Sequence, residues 1–155
     1  MTGLSLDAID RKLLRLLQKH NRRPLRELAT KLGIAAPTCM RRVRRLEANG
    51  VIRAHMAVLD PKKLGFGTFA FVEVVLVAPS GASIQSFERR MQRCPEVALC
   101  AEVAGDVDYL LLVRTVDMEE FPEFTRLQLA GDRSVKSFRS LLIMRQTKNE
   151  LEIPV

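Results

Sequence analysis

Four arginines stand close together at Arg41, Arg42, Arg44 and Arg45. No other stretch of the chain gathers as much capacity for recognition. A guanidinium is a planar fork that donates two hydrogen bonds at once, and its geometry matches O6 and N7 of guanine in the major groove. Lysine would neutralise phosphates nearly as well but reads bases less. The segment Pro37–Ala48 contains no lysine, which favours base reading over charge neutralisation alone. The plainer alternative is a solvated, charged helix face.

Placing these residues at about 100° each, with Val43 at the centre of one face, divides the segment. Cys39, Met40 and Leu46 fall within about 60° of Val43 and are expected to pack inward. Thr38, Arg41, Arg45 and Ala48 fall opposite, with Arg42 and Arg44 on the flanks. The expected division of labour follows. Thr38, Arg41 and Arg45 read base edges, and Arg42 and Arg44 hold phosphates.

Such a helix needs a scaffold, and the preceding residues supply one. Ile9, Leu13, Leu16 and Leu17 recur at helical spacing after Asp7, a residue that can cap the free N–H groups of a first turn. Asp10 adds negative charge at the positive end of that helix. Asn21-Arg22-Arg23-Pro24 breaks the pattern. A second helix runs from about Leu25 to Leu32, closed by Gly33, where a left-handed residue would end it. The arginine-rich helix follows, stopped by Asn49-Gly50. Two short helices joined by a glycine-containing turn make a helix-turn-helix, whose second helix enters the major groove.

Charge agrees with that placement. The chain has 155 residues and a formal charge of +7. Residues 1–64 hold 15 Lys/Arg against 5 Asp/Glu, whereas residues 65–155 hold 10 against 13. A basic first half suits a polyanion such as double-stranded DNA, and the mildly acidic remainder suits another task.

Residues 51–59 alternate loosely and read as a strand. Residues 60–67 contain Asp60-Pro61, Gly65 and Gly67 and read as a hinge. The expected organisation is a helix-turn-helix domain over 1–50, a linker strand and hinge over 51–67, and a second domain over 68–155. Within the last, the pattern is strand 69–78, helix 83–94 (Ile84, Phe87 and Met91 inward), strand 96–104, strand 109–116, helix 117–129 (Phe121, Phe124, Leu127 and Leu129 inward) and strand 134–147. This βαββαβ order predicts a ferredoxin-like α+β fold with two helices on one face of a sheet. The other face is left for a second copy of the chain.

Gly105-Asp106-Val107-Asp108-Tyr109 is the one polar constellation of this half. Gly and Asp serve a hairpin turn in any case. The alternative is a loop at a subunit interface whose carboxylates meet the amino group of a small polar ligand. No nucleophile–base pair, phosphate loop or metal-ligand spacing accompanies His20, His55 or the three cysteines, so neither an enzyme nor a bound cofactor or metal is expected. The opening residues lack a basic and an apolar region, and no apolar run approaches the ~20 residues of a membrane span. A cytoplasmic, nucleoid-associated protein is expected.

The ordered motifs resemble those of the Lrp/AsnC, or feast/famine, transcription regulators. They are Leu6-Asp7-Ala8-Ile9-Asp10-Arg11-Lys12-Leu13-Leu14, Glu27-Leu28-Ala29 with Leu32-Gly33-Ile34, Arg42-Val43-Arg44-Arg45-Leu46-Glu47 with Gly50-Val51-Ile52, and Gly105-Asp106-Val107-Asp108-Tyr109-Leu110-Leu111. The resemblance implies a winged-helix-like DNA-binding domain, homodimers assembling to octamers, and an amino acid or related effector held between subunits. It makes Gly105, Asp106, Asp108 and Tyr109 effector-contact candidates, with Ser140 of the final strand beside them. It also implies control of genes of amino-acid metabolism. The chain departs from its relatives at Ala35, where they usually carry a capping serine, and at Arg145 and Gln146, where they often carry acids. Arg41 is not a fixed feature of relatives and points to this protein's own operator preference. A low-specificity DNA-wrapping protein and a ligand-sensing protein-interaction module are the competing readings.

Overall fold

The computed structural model describes residues 4–78, 80–149 and 152–155. Residues 1–3, Pro79 (expected to begin a turn), and residues 150 and 151 of the expected second domain lie outside them. The chain forms two compact units. One comprises the described residues up to Val58 together with those from Lys148 onward, and the other is Leu59–Thr147. The last residues therefore belong with the helical unit, not with the sheet, as the 68–155 boundary had it. Gln18 fixes them: its Nε2 donates to the Ile153 carbonyl at 3.0 Å, and its Oε1 accepts from the Ile153 N–H at 2.7 Å. Val155 packs against the helical core.

That core is built by three helices, α1 (Ala8–Lys19), α2 (Leu25–Leu32) and α3 (Ala36–Ala48). Leu13, Leu14 and Leu17 of α1 meet Leu28, Ala29 and Leu32 of α2 and Cys39 and Leu46 of α3, all buried. Asp7 caps α1 as expected: its Oδ1 accepts from the Asp10 N–H at 2.8 Å, and Asp10 Oδ2 accepts in return from the Asp7 N–H at 3.2 Å. Gly33 ends α2 at φ 69°, ψ 32°. A side chain there would be strained, which is why a glycine stands at this stop.

Residues 51–59 do not form the expected strand. They bend at Val51 and Ile52 and join no ladder, and Met56, Val58 and Leu59 are exposed. Alternation gives a segment strand-like side-chain placement, but a strand also needs a neighbour for its backbone groups.

The second unit has one antiparallel sheet of β1 (Thr68–Leu76), β2 (Val97–Glu102), β3 (Tyr109–Thr115) and β4 (Val135–Leu142), in spatial order β2-β3-β1-β4. α4 (Gly81–Arg93) and α5 (Glu120–Thr125) complete the βαββαβ order. Ala70, Val72, Val74 and Leu76 alternate to one face of β1. They join Tyr109, Leu111 and Val113 of β3 beneath Phe87 and Met91 of α4 and Phe121 and Phe124 of α5. The opposite face carries Phe69, Phe71, Leu110 and Leu112, with Leu99 and Leu141 exposed at its edges.

Two details differ from the sequence pattern. α5 continues as a π-helical stretch, Arg126–Ala130, where the Gly131 N–H reaches the Arg126 carbonyl at 3.0 Å. The wider turn shifts the phase, so Leu129 is buried while Leu127, expected inward, is 55% exposed. β4 stops at Leu142 instead of reaching Thr147: its last ladder pair is Leu142 with Ala70, followed by a single bond from the Ile143 N–H to the Phe69 carbonyl at 2.8 Å.

Candidate DNA-recognition helix and effector loop

α3 begins without a side-chain cap. Ala35 takes the N-cap position in extended backbone, and only its carbonyl contributes, accepting from the Cys39 N–H at 3.0 Å. The helix is anchored instead by its inner face. Cys39 and Leu46 are both fully buried, whereas Val43 is half-buried and Met40, expected inward, is 40% exposed. The buried face is thus centred on Cys39 and Leu46, about 50° from Val43.

That rotation rearranges the arginines. Measured from Cys39, Arg41 and Arg44 lie roughly 160° and 140° away on the outward side, while Arg42, Thr38 and Arg45 lie about 60°, 100° and 120° away on a single flank. The side-chain contacts follow the same division. Arg42 Nη1 donates to Asp7 Oδ2 at 2.6 Å and to Asp10 Oδ1 at 2.8 Å, and Arg45 Nη2 is bonded to Asp10 Oδ2. Arg41 and Arg44 are exposed, and neither has an ion-pair partner among the described residues. Thr38 is half-buried in the first turn.

Two expected roles change accordingly. Arg42 is not an open phosphate clamp, and Arg45 is not part of a free reading row. Both point at α1. The Arg42 guanidinium is held protonated more firmly than usual by its hydrogen bonds to Asp7 and Asp10. The Asp7 carboxyl is held below its ordinary range, first by the Asp10 N–H and then by Arg42. Sequence reasoning assigned Asp7 to capping and Asp10 to the helix dipole alone. The signal for their second role was two acids one turn apart, placed to face the flank of an arginine-rich helix across the bundle.

In the second unit, the polar loop separates into different environments. Asp108 is a backbone lock. Its Oδ2 accepts from the Leu76 N–H at 2.7 Å, its N–H donates to the Val74 carbonyl at 3.0 Å, and its carbonyl accepts from the Val103 N–H at 3.0 Å. Tyr109 is 2% exposed, its ring centroid is 4.9 Å from that of Phe87, and its hydroxyl donates to Glu88 Oε1 at 3.0 Å. Burial and the neighbouring Glu88 carboxylate push the phenol pKa well up. Tyr109 is a core residue, closed off from solvent within its own chain. Ser140 pairs with Val72, whose side chain lies on the helix-covered face, and does not line the cleft at Asp106. Strand alternation accounts for both corrections, since a loop motif that runs into a strand sends its next residue to one face only.

Gly105 and Asp106 remain exposed. Asp106 lines a shallow cleft of about 340 Å³ with Glu73, Val75, Val107, Ser137, Phe138 and Arg139. Arg139 Nε donates to Glu73 Oε2 at 2.7 Å across β1 and β4, which lowers the Glu73 pKa. Sequence reasoning missed Glu73 and Arg139, because their proximity depends on register. Arg145 and Gln146 lie beyond β4 and are exposed. Among the described residues, no His/Cys/Asp/Glu cluster could hold a metal ion, and no helix is long and apolar enough to cross a membrane.

Comparison with known proteins agrees with this architecture over nearly the whole chain. Residues 6–53 match the winged helix-turn-helix DNA-binding family, and residues 69–153 match the Lrp/AsnC ligand binding domain. The chain is 38% identical to the leucine-responsive regulatory protein of Rhizobium meliloti, covering 98% of this chain and 97% of that one. Among solved structures, an AsnC family transcriptional regulator from Agrobacterium tumefaciens superposes with a TM-score of 0.91 at 33% identity, covering 96% of this chain and 97% of that one. A transcriptional regulator from Neisseria meningitidis, solved as a complex with L-Met, superposes with a TM-score of 0.92 at 29% identity and 97% coverage of both. With a helix-turn-helix unit, a βαββαβ unit and both matches in the expected order, the chain belongs to the Lrp/AsnC family of helix-turn-helix transcriptional regulators.

Proposed function

We propose that dimers of this chain place two α3 helices on the half-sites of an imperfect palindrome, and that a bound amino acid changes the assembly or spacing of those helices. The observation that carries the DNA part is the outward face of α3, where Arg41 and Arg44 are exposed and have no ion-pair partner among the described residues, on a helix whose other side is buried. Arg41, with Thr38 beside it, reads base edges. Arg44 holds phosphate. Two-fold symmetry in the protein requires pseudo-symmetry in the operator.

The effector part rests on the cleft at Asp106. Glu73 and Asp106 present carboxylates, and Arg139 presents a guanidinium. A zwitterion with one amino and one carboxylate group suits that pairing. The Neisseria relative solved with L-Met supports an amino acid as the class. Gly105 leaves open space beside Asp106. The uncovered sheet face with Phe69, Phe71, Leu110 and Leu112 supports a second copy as its occupant, and further assembly of dimers toward an octamer. Such a regulator works in the cytoplasm on the nucleoid, on genes of amino-acid metabolism, and without catalysis.

Selection of duplexes from a random pool, followed by footprinting, tests the reading. Protection of one palindromic region at low protein concentration is expected. Protection that spreads without sequence preference would indicate a DNA-wrapping protein instead.

A further inference from the structure

Asp10 is fully buried, yet it is a carboxylate on the first turn of α1. It accepts from the Asp7 N–H, from Arg42 and from Arg45 at once. Asp7 takes a second contact from Arg42. Two of the four arginines of α3 are therefore already bound within the helical unit. We propose that Asp10, assisted by Asp7, is a specificity-determining positioning residue: it holds Arg42 and Arg45 away from DNA and fixes the rotation of α3, so that only Arg41 and Arg44 are presented.

Two physical arguments support the role. Four guanidiniums within five residues of helix would attract any polyanion, because phosphate contacts carry no sequence information. A specific reader gains by withholding some of that charge. Arg42 has 20% of its side chain exposed, and its partner Asp10 has none. Moving Arg42 to a phosphate would leave the buried carboxylate with one cation fewer, which opposes the exchange. The second argument is geometric. Arg42 and Arg45 are three residues apart and share one flank. Two tethers on one flank fix the rotation of the helix about its axis, and with it the direction of Arg41 and Arg44. Ala35 provides no side-chain cap at the start of α3, so this clasp contributes to registration that a cap would otherwise share.

The inference rests on DNA binding by α3, and the test separates the two. Full-length wild type and Asp10→Asn are titrated by fluorescence anisotropy on a duplex recovered by selection with the wild type, and on a scrambled duplex of equal length, over a range of salt. Release of the two arginines steepens the salt dependence on scrambled DNA by about 0.9 for each new phosphate contact. Affinity for scrambled DNA rises several-fold at low salt, and the ratio of selected to scrambled affinity falls about tenfold. Adding Arg42→Gln and Arg45→Gln to Asp10→Asn returns the slope to the wild-type value. In the wild-type background the same two substitutions leave the slope unchanged.

A purely structural Asp10 would weaken both duplexes alike with no change in slope, and that result overturns the proposal. So does a loss of two contacts from the slope on Arg42→Gln with Arg45→Gln in the wild type. Should Asp10→Asn fail to fold, Asp7→Asn keeps the proposal open to refutation. Asp7 is half exposed and supplies one of the two carboxylates on Arg42, so its loss loosens that hold, and a slope on scrambled DNA no steeper than that of the wild type overturns the proposal. Failure of the wild type to bind either duplex would instead refute DNA binding itself.

Discussion

Leu46→Ala is the most informative single perturbation of the recognition helix. Leu46 is fully buried on the inner face of α3 and belongs to a core of eight buried residues. Its carbonyl also accepts from the N–H groups of Val51 and Ile52, at 2.9 and 3.1 Å, and so closes the helix. Truncating a buried leucine costs about 3–5 kcal/mol, because the lost transfer free energy is joined by that of the cavity. A helical unit of this size has a stability of roughly 3–9 kcal/mol at about 0.05–0.15 kcal/mol per residue. The substitution therefore removes a large share of it. Native-state hydrogen exchange reads the effect by region, since local opening free energies are resolved amide by amide. A loss of about 3 kcal/mol accelerates exchange in α1–α3 by about a hundredfold, at 1.4 kcal/mol per factor of ten. Amides of β1 and β3 belong to the other unit and keep their protection. An acceleration in α1–α3 of under about tenfold, or equal losses in β1 and β3, would refute the assignment of Leu46 to a separate helical core.

Other predictions concern single groups. Tyr109→Phe removes one hydrogen bond to the Glu88 carboxylate and should cost about 1.5–3 kcal/mol. It should lower the urea midpoint while leaving intact any thermal shift produced by L-amino acids; loss of the shift without loss of stability would return Tyr109 to the ligand site. Asp7 has a folded-state pKa below the ordinary 3.8, so its contribution is present above pH ~4 and is lost as pH falls through the folded value. The stability difference between wild type and Asp7→Asn should be flat near neutrality and shrink in acid, as followed by denaturation at stepped pH; a difference independent of pH would contradict the linkage. Burial, and after it the Glu96 carboxylate, pushes the Cys94 thiol up to about 12, and burial raises Cys39 and Cys100 as well. A disulfide reagent near pH 8 should therefore label the native protein slowly and the denatured protein at once, since thiolate is the nucleophile. Immediate labelling of the native protein would count against this packing.

Where the sequence was legible, the signal was local. Asp7 as a cap and Gly33 as a left-handed stop were readable because each acts within one helical turn. The βαββαβ order followed from the Val- and Phe-rich run of β1 and from the apolar residues spaced along α4 and α5. Misplaced features depended on long-range geometry. The rotation of α3 could not be fixed to better than about half a residue while Val43 stood as a candidate centre. That half residue decides whether Arg42 and Arg45 face DNA or α1. The fate of Tyr109 turned on which face of β3 it takes. The cleft joining Glu73, Asp106 and Arg139 depends on the β1–β4 register, which no local pattern encodes. Residues 51–59 have strand composition but lack a neighbouring strand, and composition alone cannot supply one.

The outward face of α3 is proposed to read sequence through Arg41. Footprinting of wild type and Arg41→Ala on the selected duplex, with matched titrations on a scrambled one, tests it directly. Arg41 is exposed and has no ion-pair partner among the described residues, so the variant should fold as the wild type does. It should lose about 1–3 kcal/mol of affinity on the selected duplex, relax preference at one base position in each half-site, and leave scrambled DNA nearly unchanged. Equal loss on both duplexes, or an unaltered footprint, would contradict the account.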